Sequence, residues 1–238
     1  VQAEVAEDHK VTHVFLDELQ NVTGWEKFVR RLADSKYHVY VTGSNAKMLS
    51  REIATTLGGR FMMRVVYPYD FSEYLMALGI DGSPRKQLTM KGKAAISSAF
   101  DAYLENGAFP ELIDVQSKRM YLNNIYQTIY LGDIIARNGI GNEFAVRLLL
   151  KKIAESVCQQ LSYSRLTGNR RSYSRLTRIV TGSGLAIGKM TVIKYVSYMQ
   201  DSYLIFSIQN IMGKLVDRET TPKYYFMDTG LLRTSGCK

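Results

Sequence analysis

Cysteine and histidine are scarce in this 238-residue sequence, which has two cysteines and three histidines. Cys158 and Cys237 lack the spacing of a metal-ligand pair, which argues against a disulfide scaffold and against a cysteine–histidine zinc site. No apolar run approaches the ~18 residues of a membrane helix, and no signal peptide opens the chain. These absences favour a cytoplasmic protein without a membrane partner.

Acidic residues are missing from one long stretch of the chain. The sequence carries 31 Lys+Arg against 22 Asp+Glu, a net charge of +9, and residues 115–238 hold 18 of the basic and seven of the acidic residues. Between Glu155 and Asp201 there are seven Lys or Arg residues and no acid. Such a block indicates an anionic partner such as DNA, or no more than a solvated surface.

The hydrophobic pattern predicts an α/β beginning and a helical remainder. Residues 11–16, 37–41 and 61–67 read as strands, the first buried on both faces of a parallel sheet. An amphipathic helix over 25–34 and another over 46–55 separate them, which gives the alternating order of a parallel sheet with crossovers. The later segments are helical up to about residue 204, and two strands end the pattern. The later predicted helices are 71–78, 118–137, 143–161, 172–180 and 190–204, and the strands are 205–211 and 223–227.

Two acids follow the first predicted strand directly. A buried strand that ends in Asp17-Glu18 has the form of a Walker B strand, which delivers a carboxylate to the edge of a sheet where a nucleotide-bound Mg²⁺ sits. In that interpretation Asp17 is the Mg²⁺ ligand and Glu18 is the general base that activates water. The alternative is that both residues only end the strand and begin the turn before the Trp25 helix.

Polar residues also follow the second predicted strand. Ser44 or Asn45 could contact Mg²⁺, water and the γ-phosphate as a sensor, or could cap the next helix. We assign Ser44 as the sensor and Asn45 as the cap, with Asn45 kept as a nucleotide-binding candidate. Arg60, after Gly58-Gly59, could reach a phosphate in its own or a neighbouring subunit, or could be a surface residue.

Taken together, these segments resemble a group of bacterial and archaeal predicted ATPases of the AAA+ superfamily. The resemblance covers most of the chain and is carried by short motifs spread along it. The motifs are Val14-Phe-Leu-Asp-Glu18, Gly24-Trp25-Glu26, Val41-Thr-Gly-Ser-Asn45, Gly59-Arg60, Tyr67-Pro68-Tyr-Asp-Phe71-Ser-Glu-Tyr74, Gly107-Ala-Phe-Pro110, Tyr130-Leu-Gly-Asp133-Ile-Ile-Ala-Arg137, Thr191-Val-Ile-Lys-Tyr195 and Asp228-Thr-Gly-Leu231. The resemblance implies a P-loop ATPase domain, followed by a helical, winged-helix-like region and then by a nuclease-like domain.

The chain departs from that family in two ways. It holds no G-x-x-x-x-G-K-[ST] loop, the Walker A element whose backbone N–H groups and lysine bind phosphate. It also stops just after Asp228, where the nuclease-like domain would begin. We therefore expect a fragment that is truncated at both ends and lacks the central strand of the sheet. The complete protein would use ATP and Mg²⁺, whereas this chain alone would neither bind ATP tightly nor hydrolyse it.

The basic block fits a winged helix, with a helix over 172–180, a turn at 181–184, a recognition helix and a hairpin wing. The exposed positions of the recognition helix would include Lys189, Thr191, Lys194, Tyr195 and Tyr198, and the alternative for the two tyrosines is a place in the core or in an interface. Basic and polar side chains here are the candidates for DNA contact. They are Arg165, Arg171, Arg175, Arg178, Lys189, Thr191 and Lys194. The alternative is a nucleotide lid or a module that binds another protein.

The sequence thus predicts an α/β fold class: a partial parallel P-loop sheet followed by a mainly helical, winged-helix-like domain. Residues 1–78 would be the distal half of an ATPase domain, 79–160 a linker and helical region, and 161–238 the basic module with the start of another domain. The function would be ATP hydrolysis that drives a conformational change, with DNA, a protein or a second copy as partner. The alternative is a non-catalytic DNA-binding or protein-interaction module built on a winged helix.

Overall fold

The computed structural model describes residues 12–19, 22–44, 58, 60–87, 89–156, 189–209, 211–212 and 222–236. The chain separates into two compact units, Val1–Val65 and Val66–Lys238. The boundary between these units differs from the boundaries of the three segments predicted above. The division into three segments stays a prediction. In the described part of the chain, no helix combines the length and the apolar character that crossing a membrane requires.

The first unit contains the predicted strand–helix–strand element. Strand β1 (His13–Leu16) and strand β2 (His38–Val41) pair in parallel, and helix α1 (Trp25–Asp34) connects them. The helix packs against β2 and buries Trp25 and Val29, which are neighbours on one helical face. The predicted parallel α/β arrangement is therefore confirmed for these three elements.

Burial of β1 on both faces was predicted, and the structure shows that this is wrong. Phe15 is 74% exposed and Tyr40 is 49% exposed, with their rings stacked 4.8 Å apart. Strands bury both faces only when layers cover both sides of the sheet. Among the described residues of this unit, α1 is the one helix beside the two strands, so alternate side chains stay in contact with solvent.

The third predicted strand is also absent. Residues 60–67 are described and form neither strand nor helix, and Met62 is 79% exposed. A β-rich segment becomes a strand only when a neighbour accepts and donates its backbone hydrogen bonds. No such neighbour for this segment lies in the described part of the chain. The predicted helix over 46–55 lies outside the described residues.

The second unit is mainly helical, and the helices predicted to begin at residues 71, 118, 143 and 190 do begin within one residue of those positions. The helical elements are α2 (Phe71–Ala77), α3 (Pro84–Gln87), α4 (Met90–Asn106), a 3-10 turn (Pro110–Ile113), α5 (Lys118–Gln127), a π-helix (Thr128–Ala136), α6 (Glu143–Glu155), α7 (Lys189–Asp201) and α8 (Thr229–Thr234). Helix α2 starts with a capping box in which Glu73 N–H donates to Asp70 Oδ1 at 2.8 Å and Asp70 N–H donates to Glu73 Oε2 at 2.9 Å. The predicted helix 172–180 and the turn 181–184 lie outside the described residues.

Strand β3 (Ile205–Ile208) and strand β4 (Lys223–Phe226) form an antiparallel pair, Ile205 opposite Phe226. The pair matches the two strands expected at this end of the chain. One apolar core joins them to α5, the π-helix, α6 and α7. Its fully buried members include Leu112, Ile134, Val146, Leu149, Leu150, Ile153, Val192, Met199, Leu204, Ile205 and Leu231. The winged-helix character predicted for this part of the chain stays a prediction.

Asp228 ties distant segments of the second unit together. Its side chain is 5% exposed, and its Oδ1 accepts the N–H groups of Gly230 at 2.8 Å and Leu231 at 3.2 Å, which caps α8. Its Oδ2 accepts the N–H of Ala108 at 2.8 Å, and the Ala108 carbonyl accepts the N–H of Tyr69 at 2.9 Å. Burial raises the pKa of Asp228, and these backbone donors lower it in part. The carboxylate therefore has a structural role.

Gly107 lies against this carboxylate and should not tolerate a side chain. Its φ is 78° with ψ −168°, a region that only glycine enters easily, and an added Cβ would lie 2.0 Å from Asp228 Oδ1. We expect Gly107→Ala to lower the free energy of unfolding by about 3 kcal/mol in urea denaturation. The control is Gly141→Ala, whose Cβ would meet nothing within 4 Å and should change stability by less than about 0.5 kcal/mol. Equal effects of the two variants would contradict the proposed role of the Asp228 contact.

Candidate functional site

The register of β1 and β2 decides which residues meet at the end of the sheet. His13 lies opposite His38 and Leu16 opposite Val41. The next backbone hydrogen bond runs from the Thr42 N–H to the Leu16 carbonyl at 2.9 Å. Both strands thus end at the same edge, because parallel strands point the same way. Asp17 and Glu18 follow one strand at this edge, and Thr42 and Ser44 follow the other.

Three side-chain hydrogen bonds connect the two strand ends. The Thr42 hydroxyl donates to Asp17 Oδ1, and the Thr42 Oγ1 also accepts the Glu18 N–H at 3.2 Å. The Ser44 hydroxyl donates to Glu18 Oε2 at 3.3 Å. The structure therefore brings together three of the residues singled out in the sequence, namely Asp17, Glu18 and Ser44. Their roles in chemistry stay predictions.

Glu18 has an unusual backbone conformation. Its φ is 50°, in the left-handed region that non-glycine residues rarely adopt. Asp17 and Glu18 are both exposed, whereas Ser44 is half-buried. Exposed carboxylates at the end of a strand keep access to a ligand, so these acids are able to meet a substrate from solvent.

The donor set fits Mg²⁺ bound together with a phosphate. Mg²⁺ prefers oxygen ligands and is commonly held by one or two carboxylates plus substrate phosphates. The carboxylate of Asp17 and the hydroxyl of Ser44 are ligands of this kind. In the described part of the chain, no group of three or more His, Cys, Asp or Glu side chains forms a metal site.

Arg60 and Asn45 were the other candidates near this edge. Arg60 lies at the surface, with its side chain 78% exposed, and its Nη1 is 3.7 Å from Asp34 Oδ1 at the end of α1. Its contact with Asp34 is a surface ion pair, and no contact with Asp17 or Glu18 is seen among the described residues. Asn45 lies outside the described residues.

Thr42 lies within the Val41-Thr-Gly-Ser-Asn45 motif, but the chemical roles predicted from that motif belong to Ser44 and Asn45. The signal that could have found Thr42 is that the two predicted strands end at residues 16 and 41, so that Asp17 and Thr42 are the next residues along a parallel pair. A hydroxyl directly beside a strand-terminal carboxylate is then expected to bond to it.

The proposed nucleic-acid residues are only partly described. Arg165, Arg171, Arg175 and Arg178 lie outside the described residues, and Lys189 begins α7. Helix α7 buries Val192, Val196 and Met199, leaves Lys194 exposed and half-buries Thr191. Tyr195 and Tyr198 are half-buried and pack against the core of the second unit, which agrees with the alternative given for them and not with full exposure. Of the described candidates on α7, Lys194 is the exposed one.

Comparisons with known proteins match the chain in two separate parts. Residues 1–75 match a family model described as an AAA domain. That match supports an AAA-like ATPase family of the P-loop NTPase kind for the first part of the chain.

The family of the chain itself follows from the second part. Residues 97–235 match the model described as "Domain of unknown function (DUF8612)", which covers more than half of the chain. The chain therefore belongs to the DUF8612 family.

Two curated relatives extend along most of the sequence. An uncharacterized protein of Methanocaldococcus jannaschii is 30% identical over 205 residues, which is 85% of this chain and 44% of the relative. An uncharacterized protein of Haemophilus influenzae is 27% identical over 238 residues, 98% of this chain and 54% of the relative. The chain spans about half the length of the curated relatives it matches. The nuclease-like region and the truncation expected from the sequence stay predictions.

Arg60 should contribute little to folding. Its ion pair with Asp34 is long and solvent-exposed on both sides, and such pairs stabilise by only about 0–1 kcal/mol. We expect Arg60→Ala to change the free energy of unfolding in urea by less than about 0.5 kcal/mol. A Trp25→Ala variant is the positive control, because it empties a buried site and should cost about 3 kcal/mol or more. A large loss in Arg60→Ala would show that this residue is structural.

Proposed function

We propose that the first unit is the part of an AAA-like ATPase that carries the metal ligand and the general base, in a cytoplasmic protein that hydrolyses ATP to drive a conformational change. The observation that carries this proposal is the hydrogen-bonded set at the carboxyl edge of the sheet, where Asp17, Glu18 and Ser44 meet. Ligands of open α/β sheets bind at this edge. The match of residues 1–75 to an AAA domain supports the same class.

Each residue has a defined task in this proposal. Asp17 holds Mg²⁺, which when bound neutralises charge on the phosphates. Glu18 accepts a proton from the water that attacks the γ-phosphorus, while the bond to the ADP oxygen breaks and inorganic phosphate leaves. The Ser44 hydroxyl hydrogen-bonds to the Glu18 carboxylate and is the proposed sensor of the γ-phosphate. Arg60, exposed and paired only weakly, is available to a phosphate of a neighbouring subunit.

Replacing the proposed base tests this function directly. In the full-length protein we expect Glu18→Gln to lower kcat for ATP by about 100-fold or more, because the amide cannot accept the proton from water. ATP binding, measured with a fluorescent analogue, should persist because the substitution leaves the charge of Asp17 in place. Release of inorganic phosphate is the activity measurement.

The matched control is Glu105→Gln. Glu105 is an exposed glutamate of the second unit whose carboxylate makes a surface ion pair with Arg233 at 3.2 Å. This variant should keep wild-type turnover. Full activity of Glu18→Gln, or equal activity of the two variants, would refute the role of Glu18.

DNA binding by the basic half is the second candidate function. It is favoured by the charge of residues 115–238 and by the exposed Lys194 on a helix whose opposite side is buried. Lysine and arginine side chains that contact phosphates release counterions, so affinity depends steeply on salt. A module that binds only another protein would show no salt-dependent affinity for DNA.

A salt series distinguishes the two readings of the basic half. We expect the affinity of the chain for a mixed-sequence duplex to fall by about 10-fold or more between 50 and 200 mM salt, measured by fluorescence anisotropy. Lys194→Ala should weaken binding on all sequences about equally, since a phosphate contact carries no sequence information. Lys223→Ala, on strand β4, serves as the comparison. Absence of binding at low salt, or an affinity that is independent of salt, would exclude this function.

A further inference from the structure

The hydroxyl of Thr42 joins the two acids of the candidate site, and the proposed mechanism leaves it without a role. We propose that Thr42 is a positioning residue that holds Asp17 and Glu18 in the geometry for ATP hydrolysis. This inference rests on the function proposed above. Thr42 is exposed at the end of β2, and its side chain contacts the strand end that carries both acids.

A single hydroxyl makes both contacts because it is donor and acceptor at once. It has one proton and two lone pairs. The proton goes to Asp17 Oδ1, so a lone pair accepts the Glu18 N–H at 3.2 Å. Valine has the same shape and could make neither bond, whereas serine could make both. The β-branched threonine is also stiff about χ1, which keeps the hydroxyl in one direction.

The backbone of Glu18 needs such a contact. A glutamate with a φ of 50° is in a sparsely populated conformation, and residues remain there only when their surroundings hold them. The Glu18 N–H bond to Thr42 is one such restraint, and the Ser44 hydroxyl at 3.3 Å from Oε2 is another. Without the first restraint the peptide can relax toward ordinary strand geometry. The Glu18 carboxylate would then turn away from Ser44 and from attacking water.

Misplaced acids lower the rate of the chemical step more than the binding of ATP. A displacement of about 1 Å in a reacting group can cost roughly 100-fold in rate. Asp17 would also lose its fixed orientation, so more Mg²⁺ would be needed for half-maximal activity. Positioning by Thr42 therefore predicts a fall in kcat with a rise in the required Mg²⁺, while KM for ATP at saturating Mg²⁺ changes little.

The test compares Thr42→Val, Thr42→Ser and Thr12→Val in the full-length protein. Thr12 is an exposed threonine just before β1, at the opposite end of the same sheet, and its hydroxyl bonds to His13 Nδ1 at 2.7 Å. We expect Thr42→Val to lower kcat by roughly 30- to 100-fold with KM for ATP within about 3-fold of wild type. Thr42→Ser should recover most of the rate and the Mg²⁺ dependence. Thr12→Val should match wild type.

Each result decides between positioning and its alternatives. If Thr42→Val keeps wild-type kcat while Glu18→Gln is inactive, the role of Thr42 is refuted and the proposed function stands. If Thr42→Val loses rate only together with a lowered unfolding temperature, and Thr42→Ser does not recover it, the residue is merely structural and positioning is refuted. A wild-type protein without ATP hydrolysis would overturn both proposals.

Discussion

The parallel pairing of β1 with β2 is the constraint on which the candidate site depends. With His13 opposite His38, the chain reaches Asp17 and Thr42 side by side at the end of the ladder. A shift of one residue would turn every side chain of one strand to the other face and separate the carboxylate from the hydroxyl. The site is thus a consequence of register, and its four polar side chains need no long loop to bring them together.

Two aspartates that lie just after strands differ in burial, and the difference indicates which of them is accessible to a ligand. Asp17 follows β1, is exposed, and accepts a side-chain hydroxyl. Asp228 comes just after β4 and is 5% exposed, and both of its carboxylate oxygens accept hydrogen bonds from backbone N–H groups. The first remains available to a ligand, whereas the second caps a helix and fixes the Gly107 loop. A strand followed by an acid is therefore not by itself a sign of catalysis.

Much of the local structure could be predicted from the sequence. Helix α1 follows from the spacing of Trp25 and Val29, and α2 from the Asp70 and Glu73 capping pair. Local patterns of this kind depend on neighbours within one or two helical turns. They also predicted that Asp17, Glu18 and Ser44 would lie at strand ends.

The predictions that were wrong concern features that depend on contacts between distant segments of the chain. Residues 61–67 have the composition of a strand, but a strand requires a neighbour, and none of the described residues provides one. Phe15 looks like a core residue, yet it is 74% exposed because no second layer of described residues covers its side of the sheet. Tyr195 was expected either at the surface of α7 or in the core and packs against the core, a choice left open because periodicity alone does not fix how wide the buried face of a helix is. The contact between Thr42 and Asp17 follows from the register of the two strands.

The most direct test of the central claim is a structure of the full-length protein with Mg²⁺ and a non-hydrolysable ATP analogue. We predict that Mg²⁺ lies within coordination distance of the Asp17 carboxylate and that the γ-phosphate and a water molecule lie beside Glu18 and Ser44. Thr42 should keep its hydrogen bond to Asp17 in that complex. A nucleotide bound elsewhere, with Asp17 and Glu18 facing only solvent or protein, would contradict it.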